Sequence, residues 1–288
     1  MEWYILIFIS ALLMTLATIV EKKALKAEHA TQYSSAFSWL IAIASLAFLP
    51  LAAFNISGYQ WFLLVLGGTL SAITYLVTAR VYKHGSLSIA TSLSGALPVL
   101  FVVLLAYVFL SEYLTIIQYT AIAGIIIATY IVLSRRFNSR KEFDSAKYKY
   151  MVIANAFISA ISAVIGKYQL LHINIFAYMI ITQIIIAIEF AIFISVKYEG
   201  VKEIGRTIIS YRFPIAATVL LTIGYRLSYF AALSQISAPV SIATPLRSTL
   251  FTVMAVVAGG AMFRERGLWW KIALSVIMVS MALVLTLG

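Results

Sequence analysis

Residues 88–112 read SIATSLSGALPVLFVVLLAYVFLSE, and residues 241–265 read SIATPLRSTLFTVMAVVAGGAMFRE. The two stretches are 153 positions apart and share 8 of 25 residues without a gap. Matches of Leu and Val have little weight in apolar helices. The shared SIAT tetrad and the pair Glu112 and Glu265 in one register nevertheless indicate an internal repeat. Each half of the chain therefore carries a polar helix with a proline, followed by a glutamate.

The composition around this repeat is typical of a membrane protein. Of the 288 residues, 63% are hydrophobic and 11% are charged, with a mean hydropathy of +1.01. Soluble domains have about 45–50% apolar and about 25% charged residues. A soluble fold, a disordered chain and a coiled coil are excluded, and so is a soluble domain with one anchor, because apolar residues extend from end to end. Continuous apolar runs also exclude a strand-built barrel.

The length of the chain leaves room for ten membrane spans, since a spanning helix needs about 20 apolar residues. The predicted spans are 3–20, 33–54, 60–80, 87–110, 116–134, 149–170, 174–196, 214–233, 238–262 and 268–286. The polar segment 135–147 divides them five and five, which predicts an all-α polytopic fold of two repeats, 1–140 and 141–288. Because five is odd, the second repeat enters the membrane from the opposite side. Inverted repeats are typical of secondary transporters, with a substrate site near the midplane.

The charges predict the orientation and limit the chemistry. The net charge is +11, and 18 of the 21 Lys and Arg residues lie in connections after odd-numbered spans. The positive-inside rule then predicts a multi-pass protein of the cell (plasma) membrane with both termini outside the cytoplasm. This bias explains the charge without nucleic-acid binding, for which there is no basic extramembrane domain. Cys is absent and the three His are far apart, so we expect no metal site, no cofactor and no catalytic residue.

Apart from Arg80, Lys149 and Lys271 close to span boundaries, four charged residues fall within predicted spans, where charge is costly and usually faces a cavity or a partner. Arg226 lies near the middle of span 8 and Arg247 about a third of the way into span 9. Their planar donors suit a carboxylate or phosphate. Lys167 either extends to the membrane interface or joins an ion pair. Glu189 either forms an ion pair, with Arg226 as a candidate partner, or acts as a protonatable coupling group.

Prolines in matching spans point to a binding site. Pro98 and Pro245 interrupt spans 4 and 9 within stretches rich in Ser, Thr and Gly. Proline frees a carbonyl, which polar side chains or water must satisfy, so each is either a simple kink or part of a substrate-facing notch. Two such helices in inverted halves favour the notch. The remaining candidate substrate-binding residues are Tyr75, Ser94, Tyr225, Tyr229 and Thr244.

Glu112 and Glu265 precede spans 5 and 10. A carboxylate at the start of a helix is stabilised by the positive end of the helix dipole. The two glutamates are therefore either helix-start residues or latches of a gate on each face of the membrane.

The stretch from Ser86 to Arg136 and its repeat resemble the EamA branch of the drug/metabolite transporter superfamily. The resemblance rests on the repeat, the proline helix and the glutamate that leads the next helix in both halves. It implies ten helices in two five-helix repeats, a cavity lined by the first, third and fourth helices of each half, and export of amino acids, metabolites or drugs. Well-known members keep their termini in the cytoplasm, whereas the loop charges predict the reverse here.

The smaller four-helix relatives carry a glutamate in the middle of their first helix. Here span 1 has only Glu2 and Glu21, at its edges, so proton exchange by that route is not expected.

Together these observations predict a secondary transporter of small anionic or zwitterionic metabolites, such as amino acids or organic acids. It would work by alternating access in the lipid bilayer, as a monomer or homodimer, with Arg226 and Arg247 holding the substrate. The alternatives are an exporter of hydrophobic cationic drugs, in which Glu189 takes the charge role, and a membrane scaffold that transports nothing. An enzyme is not expected, because the ten carboxylates are scattered through loops.

Overall fold

The computed structural model describes residues 2–25, 30–84, 87–137, 146–197, 201–263 and 268–287. Glu265 and the side chain of Ser94 lie outside the described part. Within it the chain forms eleven α-helices and one 3-10 helix, with no strand, which confirms an all-α polytopic fold. The helices are α1 (Trp3–Leu25), α2 (Ala30–Ser45), the 3-10 helix (Leu46–Leu51), α3 (Gly58–His84), α4 (Leu87–Leu110), α5 (Ile116–Phe137), α6 (Ala146–Leu170), α7 (Ile175–Lys197), α8 (Val201–Ser210), α9 (Arg212–Leu233), α10 (Val240–Phe263) and α11 (Leu268–Leu287).

Seven helical segments of the described residues are long and apolar enough to cross a membrane. They are Trp3–Leu25, Thr31–Leu51, Gly58–Arg80, Tyr150–Leu170, Ile175–Val196, Arg212–Leu233 and Val240–Ala258. Three shorter apolar helices, Leu97–Leu110, Ile116–Ala128 and Val276–Leu285, lie at the fourth, fifth and tenth predicted spans. Each of the ten predicted spans therefore contains an apolar helix.

Polar side chains fix where several helices begin. At α5, Thr115 and Gln118 form a reciprocal capping box: the Thr115 N–H donates to Gln118 Oε1 (2.9 Å) and the Gln118 N–H to Thr115 Oγ1 (3.2 Å). Ser57 and Gln60 form the same box at α3. Asn174 caps α7 by accepting from the Phe176 N–H (2.9 Å).

Helices α4 and α10 continue through Pro98 and Pro245, as the predicted spans 87–110 and 238–262 do. One feature was not expected: the polar stretch between α7 and α9 contains the amphipathic helix α8. Ile204 and Thr207 of α8 are buried and Ile209 is 75% exposed.

The two halves of the chain interleave. Helix α1 packs along α9 and α3 along α6, while α4 packs along α10 and α5 along α11. Every one of these four contacts joins a helix of the first half to a helix of the second. The cavity described below lies among them.

The α3–α7 contact requires a glycine at one position. A Cβ atom on Gly68 would lie 2.6 Å from Cγ2 and 3.1 Å from Cβ of Ile185, whereas one on the neighbouring Gly67 would lie 3.5 Å from Ile165 Cγ2. We expect Gly68→Ala to lower the free energy of unfolding by about 1–3 kcal/mol, because overpacking forces the helices apart. Gly67→Ala is the matched control and should be neutral or stabilising, since Ala favours the helix. Melting temperatures in one detergent test this, and equal values for the two variants would contradict it.

Candidate substrate cavity

A cavity of about 290 Å³ lies between the two halves. Its walls come from α1, α3, α6, α7, α9 and α10, with single residues from α2 and α4. The first, third and fourth helices of each half are all represented, as the family resemblance implied, and α7 adds to them. Hydroxyl groups are frequent in the walls, which suits a polar solute in an otherwise apolar bundle. The hydroxyl-bearing residues of α3, α6 and α10 are Ser71, Thr74, Thr78, Ser159, Ser162, Thr244 and Ser248.

Arg247 lies in the cavity wall between aromatic rings. Its guanidinium carbon is 4.0 Å from the centre of the Tyr229 ring and 5.6 Å from that of Tyr225. Its Nη2 donates to the Met14 sulfur at 3.1 Å. The rings attract the charge of the guanidinium, but rings and a thioether are weak hydrogen-bond acceptors. Among the described residues, the group is thus held in place without a strong acceptor for its N–H donors.

Arg226 lies nearby in the same wall. Its guanidinium carbon is 5.0 Å from the centre of the Tyr75 ring. Arg226 and Arg247 line the same cavity, and two like charges in one cavity repel each other. In the low dielectric of a helix bundle such repulsion is poorly screened, so an anion between the two groups would relieve it.

Hydrogen bonds between helices position these side chains. Ser10 Oγ donates to the Tyr225 carbonyl at 2.8 Å and joins α1 to α9. The hydroxyls of Tyr229 and Thr244 are 2.7 Å apart and join α9 to α10. These contacts hold the two tyrosines against Arg247.

Most of the predicted binding residues line one cavity. Besides the two arginines, they are Tyr75, Pro98, Tyr225, Tyr229 and Thr244. Pro245 is buried and is not among the lining residues, because it faces away from the cavity on α10. Ser94 cannot be placed, since its side chain lies outside the described part.

Glu21 also lines the cavity, although the sequence pattern had put it at the edge of the first span. Helix α1 continues to Leu25, so Glu21 lies within the helix rather than beyond it. Met14, Ala17, Thr18 and Glu21 all contribute to the wall. Their spacing of i, i+3, i+4 and i+7 is that of one helix face, and this spacing is the signal that could have revealed Glu21.

Glu189 forms no ion pair with Arg226 within the described residues, and its alternative role as a protonatable coupling group stays a prediction. Its Oε1 accepts a hydrogen bond from Thr69 Oγ1 across the α3–α7 contact, and it is not among the residues that line the cavity. The ion pair expected with Arg226 is replaced by this bond, because Glu189 faces α3 rather than α9.

Lys167 reaches the end of the helix bundle but stays buried there, and within the described residues it contacts no carboxylate directly. It is 3% exposed, and its ammonium donates to the carbonyls of Leu233, Gln235 and Ala238, each at 2.8 Å. Leu233 is the last residue of α9 and the other two lie in the turn before α10. Lys167 therefore satisfies the carbonyls at the C-terminus of α9 and in this turn.

Glu112 caps a helix, but not the one that follows it. The chain turns at Ser111, whose φ of 53° is left-handed, and the carboxylate accepts from the backbone N–H of Val240 (2.9 Å) and Ser241 (2.8 Å) and from Ser241 Oγ (2.6 Å). These groups form the N-terminus of α10, in the other half of the chain. The expected role at the start of α5 is wrong, because Thr115 and Gln118 provide that cap.

Membrane-length helices around a polar cavity with two guanidinium groups define a polytopic membrane protein with a candidate solute site. Residues 1–134, slightly less than half of the chain, match the family described as the EamA-like transporter family. This match confirms the resemblance of the sequence to the drug/metabolite transporter superfamily. A solved structure titled only "Crystal structure of protein" has a TM-score of 0.68 at 15% identity, and the match covers 98% of this chain and 96% of that one. At this identity the likeness shows the fold alone. No curated protein matches.

Proposed function

We propose that this protein is a secondary transporter that moves small anionic or zwitterionic metabolites across the cell membrane by alternating access. The observation that carries the proposal is the pair Arg226 and Arg247, which stand in the wall of one cavity against three tyrosine rings. A transporter needs a polar site within the membrane, and a charged residue within a span is costly and usually faces a cavity or a partner.

The arginine pair suits a carboxylate or phosphate. A guanidinium binds either group through two parallel N–H donors. The tyrosine rings hold the charge of each arginine but leave those donors for the substrate. No bond in the substrate needs to form or break, so the reaction is binding on one side and release on the other.

Alternating access follows from two inverted five-helix repeats, residues 1–140 and 141–288. The packing supports this arrangement, because the contact of α1 with α9 has its repeat counterpart in the contact of α6 with α3. Helices α4 and α10, which carry the repeated SIAT stretch, pack against each other. Rocking of one half against the other about this contact would expose the cavity to each face in turn.

The loop charges support an orientation with both termini outside the cytoplasm. The Glu112 contact and the α9–α10 turn then lie on the extracytoplasmic face. Ten helices suffice for a complete pathway, so a monomer can transport, and a homodimer would contain two pathways.

A thermal-stability screen of the purified protein tests the proposal. We expect amino acids or organic acids to raise the melting temperature with concentration, because a ligand of the folded state stabilises it. Arg226→Gln and Arg247→Gln should each weaken that binding by about tenfold or more, since a hydrogen bond to a charged group contributes about 1.5–3 kcal/mol. The exposed Arg206 provides the control variant Arg206→Gln, which should leave binding unchanged.

Stabilisation that depends on the two arginines and not on Arg206 supports the proposal. Stabilisation by lipophilic cations alone would overturn it in favour of drug export. Equal stabilisation of all four proteins by a carboxylate would place the binding site elsewhere.

A further inference from the structure

We infer that the substrate is an extended zwitterion: its carboxylate binds Arg226 and Arg247, and its cationic group, several bonds away, faces Glu21. The chemical class is an ω-amino carboxylate, which includes basic amino acids bound through the side-chain amine. This inference rests on the proposed function and specifies the substrate of the same cavity.

The wall formed by α1 sets the spacing of opposite charges. The Arg247 guanidinium touches α1 at Met14, where Nη2 lies 3.1 Å from the sulfur. Glu21 lies on the same face of α1, seven residues further along. A helix rises 1.5 Å per residue, so the two positions are about 10 Å apart along the wall. The cavity therefore has a positive region and a negative end, separated by two helical turns.

Glu21 has room for a cationic partner. Within the described part of the chain, no donor forms a hydrogen bond with its carboxylate, and the side chain is partly exposed in the cavity wall. The hydroxyls of Tyr33 and Tyr225 are close enough to the Glu21 carboxylate to interact with it electrostatically. The Tyr33 hydroxyl, however, donates its hydrogen bond to Thr218 Oγ1 (3.3 Å). A carboxylate in an apolar bundle is costly without a partner, and a bound ammonium group would supply one.

The spacing also decides the length of the substrate. Of the distance of about 10 Å between the two positions, each charged contact takes up about 3 Å between heavy atoms. The carboxylate and the ammonium group of the substrate must therefore be several ångströms apart. An α-amino acid carries its ammonium and carboxylate on one carbon, so its α-ammonium does not reach Glu21 while the carboxylate is held by the arginines. A chain of several methylenes bridges the gap.

A series of chain lengths tests the inference on the full-length protein. The ligands are β-alanine, 4-aminobutyrate, 5-aminovalerate and 6-aminohexanoate, each compared with the unsubstituted acid of equal length, and Kd is obtained from thermal-shift titrations. We expect the gain in affinity from the amine to rise with chain length, to about tenfold or more, as for a hydrogen bond between charged groups. In Glu21→Gln that gain should disappear, while the unsubstituted acids bind as well as before.

Two further variants complete the test. Glu21→Asp keeps the charge on a side chain one methylene shorter, so the preferred ligand should be longer by about one carbon. Glu2→Gln, an exposed change near the other end of α1, should leave the series unchanged.

If the unsubstituted acids bind through the arginines and the amine adds nothing, the inference is overturned and the proposed function stands. If Glu21→Gln keeps the same preference for chain length, the inference is likewise overturned and the proposed function stands. If no carboxylate of either kind binds, both fail.

Discussion

Replacement of Lys167 by methionine is expected to lower the melting temperature of the protein by about 10 °C. The ammonium of Lys167 holds three carbonyl oxygens at 2.8 Å, two of them in the turn that joins α9 to α10. Methionine keeps the length of the side chain but leaves these carbonyls without a donor. An unsatisfied buried polar group costs about 1–3 kcal/mol, and each kcal/mol corresponds to about 2–4 °C in a chain of this size class.

The measurement is thermal unfolding of the purified protein in one detergent. Lys202→Met removes the same charge from an exposed position on α8, and this control should melt within about 2 °C of the unaltered protein, as surface substitutions do. Similar melting temperatures for Lys167→Met and Lys202→Met would mean that the three hydrogen bonds contribute nothing to stability.

A covalent link between positions 112 and 241 is expected to abolish transport. The Glu112 carboxylate binds the first N–H groups of α10 and the Ser241 hydroxyl at 2.6–2.9 Å, so the contact joins the two halves at one face of the membrane. If the halves rock to open that face, the contact must break in each cycle. A link that cannot break stops the cycle.

The chain contains no cysteine, so Glu112→Cys and Ser241→Cys together give a unique pair without background. The pair is joined by a short bifunctional methanethiosulfonate in proteoliposomes, and flux is measured with the radiolabelled compound that stabilises the protein best. Flux should be lost on cross-linking and return with reductant, while each single-cysteine variant treated in the same way keeps its flux. Full flux in the cross-linked protein would refute opening at this face.

Hydropathy and the internal repeat were enough to predict the apolar helices. They depend on local composition, and every predicted span contains an apolar helix. Helix α8 was not predicted as a helix because its charged residues lower the mean hydropathy. Only the i, i+3 spacing of Ile204 and Thr207, which are both buried, is typical of one face of a helix. Charged residues near the end of a span lower its mean hydropathy in the same way. The first span was therefore predicted to end at residue 20, which put Glu21 at its edge.

Charge alone was enough to predict two residues of the cavity wall. Arg226 and Arg247 stood out because guanidinium groups are rare within spans, and both line the cavity. The partners of Glu112 and Lys167 could not be predicted, because all but the Ser241 hydroxyl are backbone groups, 66 to 129 residues away along the chain. A backbone carbonyl or N–H has the same chemistry at every residue, so no side-chain pattern identifies which ones a distant charge will bind.

The repulsion between Arg226 and Arg247 has a practical consequence for every binding experiment on this protein. If the two arginines bind the substrate, we expect chloride, sulfate and phosphate ions in a buffer to compete with its carboxylate, because these anions relieve the same repulsion. Measured affinities will depend on which salt is present as well as on its concentration. Titrations belong in a buffer of low anion content that contains no carboxylate, with chloride added back as a competitor.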